Sequence, residues 1–405
     1  MTRGFAAFVA AQATSSFNDN AFKTFAVLSA VAADPVGAPR FIALAGAAFV
    51  VPFLLFSTAA GDVADRYPKA RLVALFKAIE IGLLLAAGPA LAAGNLPAQL
   101  VLIFLMGAHS AFFGPVKFSI LPELVEPGEL SNANGIVQAA GFASIILGTA
   151  AASELVARFR DRPAAVAAIL AAVAAAGWLA SRLVPRVPAP RPGAPVSLDP
   201  VGSTAANLRH LAALPAVHLA TYAAAFFWFL GALFQMNLLV YGSRLMGLDE
   251  AACGRFQIVL ALGIGAGSLA AGRISRGQVE LGLVPLGAIG LMIFGADLGF
   301  AAHSPRRVAI DLLLLGVSAG FYAVPLQAYI QQRSPAAERG RVVATGNFLC
   351  FAAILIASAA LWALDAKFRL NPAQVFLVAA AMTAVVAAEI LRRLPDFFYG
   401  SCFYP

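Results

Sequence analysis

The chain has 405 residues, of which 61% are hydrophobic and only 12% are charged, and its net charge is +8. A soluble globular domain has about 45–50% apolar and about 25% charged residues, so this composition excludes that class and predicts an all-α integral membrane protein. A porin-type barrel is excluded too, because its strands would alternate over segments of about ten residues. The basic residues cluster in short loops, which favours membrane lipids over nucleic acid as their partners.

Twelve apolar stretches predict about twelve membrane-spanning helices, at about 20 apolar residues each. The first six lie near 5–30, 41–60, 71–93, 97–116, 130–156 and 164–184, and the second six near 216–241, 252–272, 281–302, 307–330, 342–364 and 372–393. A proline-rich run after Val184 cannot continue a helix and predicts a linker. The expected division is a six-helix bundle over 1–184, a cytoplasmic linker over 185–210, a second bundle over 211–398 and a tail over 399–405.

The first span carries polar residues that a simple anchor would not need: Asn18, Asp19, Asn20 and Lys23. A charged side chain in the centre of a bilayer costs about 2.5–3.5 kcal/mol on insertion scales and usually faces protein or a watery cavity. Asp19 and Lys23 share a helix face at i,i+4 and can pair. We expect these four residues to bind a polar substrate. No cleavage site follows this span, so we expect no removable signal peptide.

The loop between the second and third spans holds a dense set of charges behind a glycine. Its marked residues are Gly61, Asp62, Asp65, Arg66, Lys69 and Arg71. Gly61 allows close helix packing, and Asp65 can place negative charge at the N-terminus of a neighbouring helix. We expect these residues to form a conformational latch; the alternative is an ordinary charged loop.

The fourth span ends in Gly114, Pro115 and Lys117. We expect Gly114 and Pro115 to break the helix, and Pro325 to do so in a similar segment of the second half. Lys117 is either a cation for an anionic headgroup or a lysine that extends to the membrane surface. Two similar halves joined by a linker are the arrangement of a secondary transporter.

Other polar residues inside the spans support weaker predictions. Lys77 and Glu80 are spaced to pair at i,i+3. Gln235, Asn237 and Gln327 either line a substrate cavity or form hydrogen bonds between helices. The glycines of 263–267 predict close helix packing rather than phosphate binding. The cysteines (Cys253, Cys350 and Cys402) have no metal-ligand spacing, so we expect no metal and no cofactor.

These motifs together resemble the bacterial lysophospholipid transporter family of the major facilitator superfamily. The loop at 61–71 resembles the signature of the superfamily, although Pro68 stands where many members have glycine. The narrower resemblance rests on segments 17–20, 114–124, 129–135 and 324–328. It is strongest to members fused to an acyltransferase and an acyl-carrier-protein synthetase. Asp19 matches the family's helix-one aspartate and Lys117 its helix-four lysine, whereas Gln235 stands where stand-alone members have arginine.

The resemblance implies inward flipping of lysophospholipids, chiefly lysophosphatidylethanolamine, across the bacterial inner membrane for reacylation. The headgroup amine would meet Asp19, and the phosphate would meet Lys23 or Lys117. The excess of Lys and Arg in alternate loops predicts that both termini are cytoplasmic, although the cluster at 158–162 opposes this.

We expect no enzyme activity, because no His in the chain begins an H-x-x-x-x-D acyltransferase motif. Acyl transfer would then come from a partner acyltransferase and acyl-carrier-protein synthetase, or from a fused part outside this chain. Two alternatives stay open: a proton-coupled exporter of drugs or small metabolites, with Asp19 as the protonation site, and a non-transporting scaffold for an acyltransferase.

Overall fold

The computed structural model describes residues 2–34, 36–159, 162–197, 199–275, 277–301 and 304–393. These residues form α-helices joined by turns and short segments, without a β-strand among them, which confirms the predicted all-α fold class. The predicted tail 399–405, with Cys402, lies outside the described residues.

Each of the twelve predicted spans is occupied by a helix. In the first half the helices are α1 (Arg3–Ala33), α2 (Ala38–Arg66), α3 (Lys69–Ala92), α4 (Leu96–Ser119), the one-turn α5 (Leu121–Leu124), α6 (Leu130–Phe159) and α7 (Pro163–Ser181). The segment predicted as a linker contains α8 (Gly202–Ala212). The second half has α9 (Pro215–Arg244), α10 (Glu250–Ile274), α11 (Leu283–Leu298), α12 (Pro305–Arg333), α13 (Arg339–Trp362) and α14 (Pro372–Arg393).

Within the described residues, ten helices are long and apolar enough to cross a membrane. The two other predicted spans fall below that limit for different reasons. α1 carries the polar run 18–20 in its middle, and α11 has only 16 residues.

Local chemistry sets where several helices begin. The side chain of Asn95 accepts a hydrogen bond from the backbone N–H of Ala98 at 3.0 Å and caps α4. Asp249 caps α10 in the same way through Ala252 at 2.7 Å. Such caps satisfy backbone donors that the first turn leaves unpaired. Helices α7, α9, α12 and α14 begin with proline, whose fixed φ suits the first helical position.

The helix breaks predicted at Gly114, Pro115 and Pro325 are wrong. Helix α4 runs through Gly114 and Pro115, and α12 runs through Pro325. A membrane helix tolerates proline because neighbouring groups compensate for the lost backbone hydrogen bond. A Cβ on Gly114 would lie 2.8 Å from Nδ2 of Asn347, so this glycine makes room for a close side chain.

Contacts divide the chain into two compact units. The first contains the chain up to Val125, Ala143–Ala212 and Ser334–Phe348, and the second contains Glu126–Phe142, Ala213–Arg333 and the chain from Leu349. Helices α6 and α13 therefore contribute to both units. The division at 184 and 211 drawn from the linker stays a prediction.

The core of the first unit is apolar and lies between α1, α2, α3, α4 and α7. Its large buried members include Phe22, Phe25, Leu84, Met106 and Leu170. This packing fixes α1 beside α3 and α4, which places the polar residues of α1 next to those of its neighbours.

The second unit is organised by close contact of α10 with α12. A Cβ on Gly267 would lie 2.6 Å from Cα of Val317, and one on Gly316 would lie 2.7 Å from the backbone nitrogen of Ile264. The packing role predicted for the glycines of 263–267 is therefore confirmed at Gly267. Small residues of this kind let membrane helices approach closely.

Candidate functional site

Asp19 is a half-buried carboxylate on α1 with only one of its oxygens hydrogen-bonded. The hydroxyl of Ser110 on α4 donates to Oδ2 at 2.5 Å. Oδ1 is buried and accepts no hydrogen bond from any described residue. The predicted pair of Asp19 with Lys23 is not formed. A carboxylate that keeps one oxygen open at membrane depth can accept a donor from a ligand.

Two lysines lie near Asp19 without an ion-pair partner among the described residues. Nζ of Lys23 lies 4.8 Å from the ring centroid of Phe49, and Nζ of Lys117 lies 5.1 Å from that of Phe118. Both lysines interact electrostatically with Asp19. An aromatic face stabilises an ammonium group by about 0.5–2 kcal/mol, so both cations are held in place while remaining able to bind an anion.

Asn18 belongs to a different cluster, which α1 forms with Lys77 and Glu80 of α3. Its Nδ2 donates to Oε1 of Glu80 at 2.7 Å, and Ser15 donates to Oε2 of Glu80 at 2.6 Å. The predicted pair of Lys77 and Glu80 is confirmed, with 2.7 Å between Nζ and Oε2 and both side chains fully buried. Nζ of Lys77 also donates to Thr14 and Ser15, at 3.0 Å each. This cluster ties α1 to α3.

Asn20 is occupied locally, because its amide donates to the carbonyl of Ser16 at 2.9 Å within α1. Of the four polar residues predicted in the first span, Asp19 and Lys23 thus remain open to a ligand. Asn18 instead ties α1 to α3, and the Asn20 amide bonds within α1.

The predicted residues of the second unit fall into two environments. Asn237 is buried and donates to the carbonyl of Pro372 at 2.8 Å, beside a cavity of about 220 Å³. Gln235 is exposed, and its backbone carbonyl accepts from Nε2 of Gln257 at 2.9 Å. Gln327 is half-buried on α12. Asn237 therefore lines a cavity with its amide already hydrogen-bonded, whereas the side chain of Gln235 is exposed.

Three of the predicted latch residues meet the start of α13 within the first unit. Asp65 accepts hydrogen bonds from the backbone N–H groups of Gly340 and Arg341, at 2.7 and 3.0 Å. Oδ1 of Asp62 lies 3.7 Å from Nε of Arg341. A Cβ on Gly61 would lie 2.9 Å from Cα of Arg341, so only glycine permits this approach. The Asp65 carboxylate thus sits where the helix dipole favours negative charge.

The other three motif residues have separate surroundings. Lys69 is buried and forms an ion pair with Glu123. The guanidinium of Arg66 lies 5.3 Å from the ring centroid of its neighbour Tyr67. Arg71 is exposed and lines a cavity of the first unit. The structure therefore places only Gly61, Asp62 and Asp65 of this motif against α13.

The segment predicted as a linker adds contacts to the same end of the first unit. The backbone N–H of Arg191 donates to the carbonyl of Asp65 at 2.9 Å, and that of Ser197 donates to Oδ2 of Asp62 at 3.0 Å. Asn207 on α8 accepts from Arg341 at 2.6 Å. The charged pattern of 61–71 does not reveal these partners, because they lie more than 100 residues away in sequence.

Two further polar pairs were not identified from the sequence. Ser110, the partner of Asp19, precedes Lys117 by seven residues and shares its face of α4, which is the signal that could have marked it. In the second unit, Asn134 and Gln331 exchange two amide hydrogen bonds at 2.8 and 2.9 Å. Among the described residues, no group of three or more His, Cys, Asp or Glu side chains could hold a metal ion.

The sequence of the chain was compared with known families and proteins. The model of the Major Facilitator Superfamily matches residues 5–358. The chain is 28% identical over 398 residues to the lysophospholipid transporter LplT of Klebsiella pneumoniae subsp. pneumoniae, covering 96% of this chain and 95% of that protein. It is 29% identical to the LplT of Escherichia fergusonii, covering 82% and 81%.

Solved structures show the same fold at lower identity. The human organic anion transporter TETRAN has a TM-score of 0.78 at 16% identity, covering 95% of this chain and 98% of that one. The proton:xylose symporter XylE has a TM-score of 0.70 at 15% identity, covering 97% and 96%. These likenesses concern the fold alone.

Proposed function

The chain belongs to the Major Facilitator Superfamily, and from that premise we propose that it transports lysophospholipids, chiefly lysophosphatidylethanolamine, across the bacterial inner membrane. The direction we propose is from the outer to the inner leaflet, with both termini in the cytoplasm. The names of the relatives support the substrate class, because the lysophospholipid transporter LplT aligns with 96% of this chain.

The observation that carries the proposal is the charge arrangement around Asp19. One carboxylate oxygen is buried and without a hydrogen bond, and two lysines nearby have aromatic faces but no anion among the described residues. A phosphoethanolamine headgroup carries one ammonium and one phosphate, so it complements this arrangement. We propose that the ammonium binds Asp19 and the phosphate binds Lys23 or Lys117.

The transport cycle we propose is rocking of two six-helix bundles around the bound headgroup, as in other secondary transporters. The acyl chain stays against apolar helix faces or lipid. The contacts of Asp65 with the N-terminus of α13 are the latch of this cycle: they form in one state and break in the other.

The experiment that tests this function is a flipping assay with purified chain in proteoliposomes. Labelled lysophosphatidylethanolamine should disappear from the outer leaflet faster than in protein-free vesicles, and Asp19→Asn should remove most of the difference. Binding without movement would favour the scaffold alternative. Uptake of cationic drugs that depends on a pH gradient, with no lysolipid movement, would favour the exporter.

A further inference from the structure

A cavity of about 280 Å³ opens at the end of the first unit where α3 begins and α7 ends. Its wall includes Arg71 and Leu75 from the first turns of α3, Trp178 and Arg182 from the end of α7, and Arg186 just beyond. None of the residues of the Asp19 cluster lines it, so it is a separate site.

The cavity is strongly basic and lacks an acid. Three arginines line it, and no aspartate or glutamate is among its lining residues. None of these guanidinium groups has an ion pair or a hydrogen bond with another described residue; Arg182 lies 5.4 Å from the ring centroid of Trp178. Nearby Lys69, by contrast, is paired with Glu123. Arginine presents a planar fork of donors that matches phosphate oxygens. The cavity is therefore suited to binding an anion that carries a phosphate group.

Exposed leucines lie on the two chain segments that line the cavity, one on α3 and two near the end of α7. Leu75 is 52% exposed, and Leu179 and Leu183 on the α7 side are 63% and 69% exposed. Exposed leucines on a membrane helix contact acyl chains, and a tryptophan beside them is typical of the headgroup level. An anion-binding wall next to an acyl-chain surface fits an amphiphile better than a soluble ion.

We infer that this cavity binds the phosphate headgroup of an anionic phospholipid from the leaflet that this end of the protein faces. Basic pockets between membrane helices bind such headgroups. The three arginines hold the phosphodiester, and the acyl chains lie along the exposed leucines. The bound lipid bridges α3 and α7 and is not transported, so its binding does not depend on the proposed lysolipid function.

The test uses the fluorescence of Trp178 in the full chain. Trp228 and Trp362 are 41% and 69% exposed, so Trp228→Phe and Trp362→Phe leave one reporter. Lipids with brominated acyl chains quench a tryptophan that they contact. Brominated phosphatidylglycerol should quench Trp178 at a lower mole fraction than brominated phosphatidylcholine. Each arginine contributes about fivefold near an anionic lipid, so the preference should be at least tenfold.

The triple variant Arg71→Gln/Arg182→Gln/Arg186→Gln should lose this preference. The matched control, Arg3→Gln/Arg209→Gln/Arg273→Gln, removes the same charge from exposed arginines outside the cavity and should retain it. A thermal unfolding curve for each variant establishes that the protein is folded. Equal quenching by both lipids, or a preference that survives the cavity variant, would overturn the inference. Full displacement of the lipid by millimolar inorganic phosphate would overturn it too, since the occupant would then be a soluble anion.

Discussion

Two groups of charged side chains lie side by side in the first unit, and they differ in how well they are satisfied. In the pair of Lys77 and Glu80, the ammonium has three oxygen partners and the carboxylate accepts from three donors. In the group of Asp19, Lys23 and Lys117, one carboxylate oxygen has no hydrogen bond, and each lysine has an aromatic ring in place of an anion.

Within the proposed function, this difference assigns a structural role to the Lys77–Glu80 cluster and a binding role to the Asp19 group. A buried charge is tolerated when it is paired and hydrogen-bonded, and the Lys77–Glu80 cluster meets that condition without a ligand. The Asp19 group does not meet it through the described residues alone, which is why we propose that a ligand supplies the missing partners. Asn18 and Asp19 are adjacent in sequence, but Asn18 belongs to the Lys77–Glu80 cluster and Asp19 to the other group.

The largest expected effect is on stability, at the satisfied pair. Glu80→Ala leaves the Lys77 ammonium buried without its anion, which should lower the free energy of unfolding by about 3–5 kcal/mol. Thermal unfolding of the purified protein measures this. Lys77→Met/Glu80→Met removes both charges and should recover most of the loss. Wild-type stability of Glu80→Ala would show that the pair does not hold α1 to α3.

The second-largest effect is expected for Asp19→Asn, which should lower the transport rate without lowering stability. Asp19→Asn removes the negative charge but can keep the hydrogen bond to Ser110. Losing a hydrogen bond to a charged group costs about 1.5–3 kcal/mol, so flux of lysophosphatidylethanolamine should fall about 10- to 100-fold. The unfolding temperature should stay the same or rise. Asn20→Ala is the control, because that amide bonds only within its own helix, and its flux should remain close to wild type.

A smaller effect is expected at the latch. Asp65→Asn leaves one oxygen for the two backbone N–H groups at the start of α13 and removes the negative charge there, which costs about 0.3–1 kcal/mol. Thermal unfolding should reveal this decrease, and the flipping assay a changed rate. Arg66→Gln removes a neighbouring charge that forms no ion pair or hydrogen bond with a described residue of α13, and it should change neither. An unchanged Asp65→Asn protein would remove the latch from the account.

The smallest effect is expected in the second unit. Gln235 has an exposed side chain on α9, so Gln235→Arg adds a cation without changing the packing of the buried core. Within the proposed function, the added cation should shift headgroup preference toward lysophosphatidylglycerol by a few-fold. Competition between the two labelled lysolipids in one vesicle preparation measures the shift, and Gln235→Met controls for the loss of the amide.

Much of the fold follows from the sequence because it depends on local pattern. Apolar length locates the helices, i,i+3 spacing identifies the Lys77–Glu80 pair, and the glycines of α10 predict its packing on α12. The predicted breaks at Gly114 and Pro325 were wrong because helix continuity depends on neighbours that compensate for a lost backbone bond, and spacing does not reveal those neighbours.

For the candidate site, the sequence identifies the charged residues but not their hydrogen-bond partners, because the partners depend on how the helices pack. Asp19, Lys23 and Lys117 stand out as charges in apolar spans, and that signal needs no tertiary information. The partner of Asp19 is Ser110, 91 residues away, so i,i+4 spacing wrongly suggested Lys23. Asn18 carries the same sequence signal as Asp19, yet it binds Glu80, and only the packing of α1 on α3 distinguishes the two residues.

The most direct measurement is lysophosphatidylethanolamine flux per folded protein for Asp19→Asn and for Lys77→Met/Glu80→Met, reconstituted side by side. We predict that Asp19→Asn folds normally and loses flux, whereas the double variant retains flux once folded. Retained flux in Asp19→Asn, together with lost flux in a well-folded double variant, would contradict it and would assign the binding role to the Lys77–Glu80 cluster.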